Sequence, residues 1–219
     1  MKRNIDLNDI SDGKLYSSND LVKTDCHGCV GCSDCCHGMG ESIILDPIDV
    51  FHLNKATGKD FSALVNEGYL ALNVVDGLIL PNLNMNTATG GCAFLNEEGR
   101  CSVHSLRPGI CRLFPLGRYY EEDGFKYFIQ IHECSYSNRS KMKVKKWLEI
   151  PDIRTYEKYI LDWHKFVILM EDYVTKDTGE DMKAVMMNIL KVFYQIPYNG
   201  TEDSDFYKEF YRRLEIVKG

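Results

Sequence analysis

Cys26-His27-Gly28-Cys29-Val30-Gly31-Cys32-Ser33-Asp34-Cys35-Cys36 places five thiols within eleven residues, at steps of three, three, three and one. A Cys-x2-Cys step turns two sulfurs toward one point, because the two intervening residues form a tight turn. Three such steps in succession resemble the run that wraps an iron–sulfur cube, although the last step is x2 where the bacterial ferredoxin run has x3. A single step is the usual half of a thiolate zinc site. Gly28 and Gly31 lie between the thiols, where a chain bending around a metal often needs positive φ. Cys35 and Cys36 are adjacent, and neighbouring side chains are expected to diverge. The pair then serves two centres, or one thiol is a ligand while the other packs.

Cys92, Cys101, Cys111 and Cys134 follow, making nine in all, enough for two four-thiolate sites with one left over. Disulfides or inert buried cysteines are the competing reading. The odd count, the five thiols crowded into eleven residues and an amino terminus without an apolar export stretch all favour metal. A reducing, cytoplasmic location is the corresponding expectation. His27, His37 and His104 border these thiols and are secondary ligand candidates.

Composition sets the limits. A chain of 219 residues with 44 % hydrophobic and 11 % aromatic content can build a real core. It contains no uncharged apolar run of about 18 residues, so no membrane span is expected. Residues 1–134 hold 11 Lys and Arg against 18 Asp and Glu, whereas residues 135–219 hold 15 against 14. Bound thiolates would make the first half more negative still, which argues against a nucleic-acid reader. The basic run Lys141-Met142-Lys143-Val144-Lys145-Lys146 reads as the solvated start of a helix.

Outward from the cysteine run, residues 1–25 read as a polar lead-in with a short helical turn near 19–23. Ser42–Leu45 reads as a short strand. Asp46-Pro47 then starts a helix, with Asp as N-cap and Pro in the first turn, and Gly58 ends it. A second helix is expected over Asp60–Asn66, ended by Gly68. Asp76-Gly77 predicts a hairpin between Leu70–Val75 and Leu78–Leu80. Gly91–Cys101 predicts a tight hairpin with a thiol at each end, and Pro108 the start of a short helical turn presenting Cys111. Another hairpin is expected around Glu122-Asp123-Gly124. Beyond residue 140 the apolar period changes to three and four, predicting helices over roughly 152–174 and 181–195 and a last one carrying Phe206, Phe210 and Leu214. The fold class is therefore α+β: a polar lead-in (1–25), a cysteine-rich half with short helices and β-hairpins (26–138) and a helical scaffold segment (139–219).

Two motifs in order carry a family resemblance. Cys29-x2-Cys32-x2-Cys35-Cys36, followed by Cys92, Cys101 and Arg107-Pro108-x2-Cys111-Arg112-x-Phe114-Pro115, resembles the YkgJ-like cysteine-cluster proteins with their zinc- or iron-chelating CxxCxxCC domain. The stretch is also similar to the cysteine-rich part of flagellin lysine N-methylases. The resemblance covers about residues 26–134 and implies a cytoplasmic protein that binds an iron–sulfur cluster or zinc. It leaves Cys26 outside the minimal motif and gives the helical part no function. Arg107 and Arg112 are the cofactor-binding candidates, since guanidinium groups beside thiolates offset charge and donate hydrogen bonds to sulfur.

The metal candidates are thus Cys26, Cys29, Cys32, Cys35, Cys36, Cys92, Cys101, Cys111 and Cys134. One or two 4Fe–4S clusters are the expected cofactor, with zinc as the alternative. The function classes are an iron–sulfur protein for electron transfer, sensing or assistance to a partner enzyme, a structural zinc module, and a lysine N-methylase-like enzyme. The last lacks a Gly-rich strand–loop–helix signature. A protein partner is expected, with neither nucleic acid nor membrane.

Overall fold

A computed structural model describes residues 6–26, 32–136, 138–176 and 180–218. In chain order it contains α1 (Leu7–Ile10), β1 (Leu21–Asp25), α2 (Pro47–Thr57), α3 (Phe61–Asn66), β2 (Leu70–Val75), β3 (Leu78–Leu83), α4 (Gly109–Leu113), β4 (Leu116–Glu121), β5 (Gly124–Ile129), β6 (Ser140–Lys143), α5 (Val144–Leu148), α6 (Ile153–Lys176), α7 (Glu180–Leu190) and α8 (Asp203–Lys218). The architecture is mixed α and β, with antiparallel hairpins in the cysteine-rich half and long helices after it.

Local chemistry explains most boundaries. Asp46 is the N-cap of α2, Pro47 opens its first turn, and Gly58 closes it in the left-handed region at φ +68°. Asp60 caps α3 by accepting from the Ala63 N–H at 2.7 Å. Asp76-Gly77, both at positive φ, joins β2 to β3 in a two-residue turn, with Val75 opposite Leu78. Ser42–Leu45 forms a single bridge from Ile44 to Asn82 beside β3 instead of a full strand.

Two expectations fail on long-range pairing. Residues 21–25 form strand β1, with Val22 and Thr24 buried and Leu21 and Lys23 exposed, where a helical turn was expected. The partner is β6, so the basic run opens as a strand, with Lys23 opposite Lys141, before α5 begins at Val144. Lysine favours helix only weakly, and the pairing overrides that preference.

One core unites the two halves. Phe51, Phe61, Leu80, Phe94 and Val103 pack with Tyr159, Trp163, Phe193, Phe206 and Phe210 in a single buried cluster. Within it Tyr159 meets Phe210 edge-on at 4.7 Å, and Trp163 meets Phe193 at 5.1 Å. Two buried tyrosines also fasten the helices to the chain around α2. Tyr159 OH accepts from the Ile48 N–H at 3.2 Å, and Tyr194 OH donates to the Leu45 carbonyl at 2.9 Å. Among the described residues no helix is long and apolar enough to cross a membrane.

Candidate metal centre

Eight cysteines, Cys26, Cys32, Cys35, Cys36, Cys92, Cys101, Cys111 and Cys134, line one cavity of about 990 Å³. The ninth candidate, Cys29, lies outside the described residues, as do His27, Gly28 and Gly31. The backbone brings the two cysteine groups together. Residues 34–36 make a 3-10 turn, and the chain leaving it pairs with residues 90–92. Gly38 N–H donates to the Gly90 carbonyl at 2.9 Å, and Cys92 N–H to the Cys36 carbonyl at 2.8 Å. Gly91 permits this approach: a Cβ there would lie 3.3 Å from the His37 ring. Cys134 is drawn in from the other side, where its neighbour Ser135 hydrogen-bonds Asp34.

Cys92 and Cys101 are not the two ends of one hairpin. Asn96 accepts from the Arg100 N–H through its side chain at 2.7 Å, and Gly99 takes φ +70°, so the turn occupies residues 96–100. Leu95 therefore pairs with Cys101, while Cys92 pairs with Met85.

Pro108 caps α4, whose single turn presents Cys111. The buried Asp49 of α2 fixes that turn. One carboxylate oxygen accepts the Gly109 N–H at 2.7 Å, and the other accepts the Asp46 N–H at 2.9 Å. Gly109 has no room for a side chain, since a Cβ would collide with Tyr156 OH. The same hydroxyl accepts from Arg118 Nη2 at 2.9 Å. Arg112 lies on the far face of the turn, away from the cavity, donating to the carbonyls of Ser105 and Arg107. Arg107 does line the cavity, with one guanidinium nitrogen on the His104 carbonyl at 3.0 Å and another on Glu149 at 3.3 Å.

Electrostatics shows which thiols lie near enough to influence one another. Cys35 is shifted up, first by a hydrogen bond with Cys36 and then by burial. That bond sets the two thiols near each other, against the expected divergence. Burial also raises Cys92, Cys101 and Cys111. Each of these three senses the charge on Cys35, Cys111 senses Cys92 and Cys101 as well, and Cys92 senses Cys101. Arg107 pulls Cys101 the other way. Cys35, Cys92, Cys101 and Cys111 thus form a mutually interacting set drawn from both groups, with Cys36 against Cys35. Among the described residues no three His, Cys, Asp or Glu side chains stand close enough to hold an ion as they lie. The donor chemistry nevertheless fits a thiophilic centre, since thiolate suits zinc and iron–sulfur clusters alike.

Sequence reasoning missed Asp49, Tyr156 and Arg118. Asp49 carried one readable signal, its place at the third position of α2, where an acid closes a capping box. Its second partner, Gly109, is sixty residues away.

The fold and this cavity define a cysteine-cluster protein of mixed architecture. A family model described as "Putative zinc- or iron-chelating domain" (CxxCxxCC) matches residues 28–147, more than half of the chain. The chain belongs to that CxxCxxCC family, and metal binding is supported on the same ground. No curated protein and no solved structure gives a significant match.

Proposed function

We propose that this is an iron–sulfur protein whose cluster is held by thiolates from both cysteine groups. Cys35, Cys92, Cys101 and Cys111 are the central ligands, with Cys36 as the neighbouring alternate. The observation that carries the reading is the convergence of these thiols on one cavity from segments more than fifty residues apart. The ladder of Cys-x2-Cys steps in the first group favours a cluster over a single ion. So does the room available, because a zinc ion bound at about 2.3 Å by four sulfurs needs only a small part of such a cavity. Binding would draw the thiols inward as their protons leave. Arg107 offsets the resulting charge, and Arg112 acts indirectly by holding the turn that presents Cys111. Cys26, Cys29, Cys32 and Cys134 supply any second centre. The cluster serves electron transfer, sensing or a partner enzyme in the cytoplasm.

Zinc is the second reading, favoured by the four mutually interacting thiols, which match a closed tetrahedral site in number. Anaerobic purification with quantitation of iron, acid-labile sulfide and zinc separates the two. Iron and sulfide in near-equal amounts support the cluster. Stoichiometric zinc without sulfide rejects it and leaves the zinc module.

A further inference from the structure

The cavity extends well beyond its thiols. Its lining also includes Arg118 and Tyr120 of β4 and Leu161, His164, Lys165 and Ile168 of α6. We propose that this part of the cavity binds a small organic carboxylate, its anionic head on Arg118 and its apolar body along α6. The total volume lies at the upper end of the roughly 300–1,000 Å³ usual for small-molecule sites, and a metal centre takes up only part of it.

Arg118 supplies the head group's site. Arg118 lines the cavity, and its Nη2 donates to Tyr156 OH at 2.9 Å. Among the described residues no carboxylate lies within ion-pair distance of it. Asp46 and Asp49 act on it only from farther away, and burial raises both carboxyl pKa values, which reduces the negative charge they present. A buried guanidinium without a counter-ion is costly, and an incoming anion offsets that cost. His164 adds a flat wall rather than a charge. Its ring stacks on Tyr120 at 3.5 Å, and burial, with Arg118 contributing, lowers its pKa to about 4.

The rim decides the class of anion. Lys165 is exposed at the cavity edge and attracts negative charge, but the exposed Glu121 and Glu122 line the same cavity and repel multiply charged groups. A monoanionic carboxylate with an apolar body fits this balance better than a phosphate dianion. The proposal rests on the metal reading only for what lies next to the ligand.

The test is isothermal titration of the purified protein with hexanoate, hexanol, hexylammonium and inorganic phosphate, with metal content measured on the same sample. Saturable hexanoate binding is expected, at least tenfold tighter than hexanol and absent for hexylammonium. Arg118→Gln should weaken hexanoate tenfold or more. Lys165→Gln, at an exposed position that leaves the core intact, should weaken it a few-fold with a smaller salt dependence. No saturable hexanoate binding, equal affinity for hexanol, or tighter binding of phosphate would each overturn the proposal, as would unchanged hexanoate affinity in folded Arg118→Gln. If that variant does not fold, the hexanoate-to-hexanol ratio and Lys165→Gln decide. Hexanoate binding by a sample without iron or zinc would reject the metal reading alone.

Discussion

Replacing Asp49 by Ala tests how the turn carrying Cys111 is held. The carboxylate is 2 % exposed and accepts two backbone N–H groups, one at the start of α2 and one at the start of α4. Truncation leaves both donors buried without partners, at about 1–3 kcal/mol each. Against this, burial raises the carboxyl pKa, so removing the group also removes a desolvation cost. The net loss should be about 3 kcal/mol, a large share of the roughly 5–15 kcal/mol that holds a typical domain together. For a chain of this size that is a fall in Tm of about 6–12 °C. Asp49→Asn keeps one acceptor oxygen but turns an NH2 donor toward the other N–H, so it should recover only part of the loss. Thermal unfolding followed by circular dichroism measures both. An Ala variant within 1 kcal/mol of wild type, or an Asn variant as damaged as Ala, would refute the reasoning.

Three further outcomes follow from the same neighbourhood. Gly109→Ala should cost about 1–3 kcal/mol by overpacking against Tyr156 OH; adding Tyr156→Phe should recover part of that loss in a double-mutant cycle of thermal melts, and strict additivity would exclude the clash. Arg112→Lys should destabilise by about 1–3 kcal/mol, since a point charge cannot reach both the Ser105 and Arg107 carbonyls as the guanidinium fork does. Asp46, whose folded pKa of about 7 exceeds its ordinary 3.8, favours the fold most when neutral. Its contribution is therefore complete below pH 3.8 and is lost as the pH rises through about 7. Asp46→Asn should flatten stability over that window by about 2–4 kcal/mol, and parallel urea-melt profiles for variant and wild type would contradict this.

What the sequence disclosed was chiefly what is local. Asp46-Pro47, Asp76-Gly77 and the three-and-four spacing from Ile153 to Val174 settle their elements from neighbouring residues alone. The β1–β6 ribbon was hidden because its strands are more than a hundred residues apart. The inward Val22 and Thr24 give the alternation of a strand, but nothing nearby names its partner. The centre divides in the same way. The expectation that both cysteine groups contribute rests on their number and spacing, whereas the hydrogen bond between Cys35 and Cys36 depends on side-chain directions that adjacency alone does not give. Arg118 escaped notice because a buried polar brace carries no motif, and the capping-box position of Asp49 named only its local partner. Each becomes visible only when Gly109 and Tyr156 are placed beside it.

The central claim is that metal ties the two cysteine groups into one unit, and cysteine alkylation read residue by residue in a mass spectrometer tests it most directly. The anaerobically purified protein is alkylated before and after graded chelation, with iron, sulfide and zinc measured at each step. The account predicts that Cys35, Cys92, Cys101 and Cys111 are protected together and become reactive together as metal leaves, and that Cys111→Ser exposes Cys35 as well. Release of Cys35 while Cys92, Cys101 and Cys111 stay protected, or full protection of Cys35 with unchanged metal in Cys111→Ser, would contradict it.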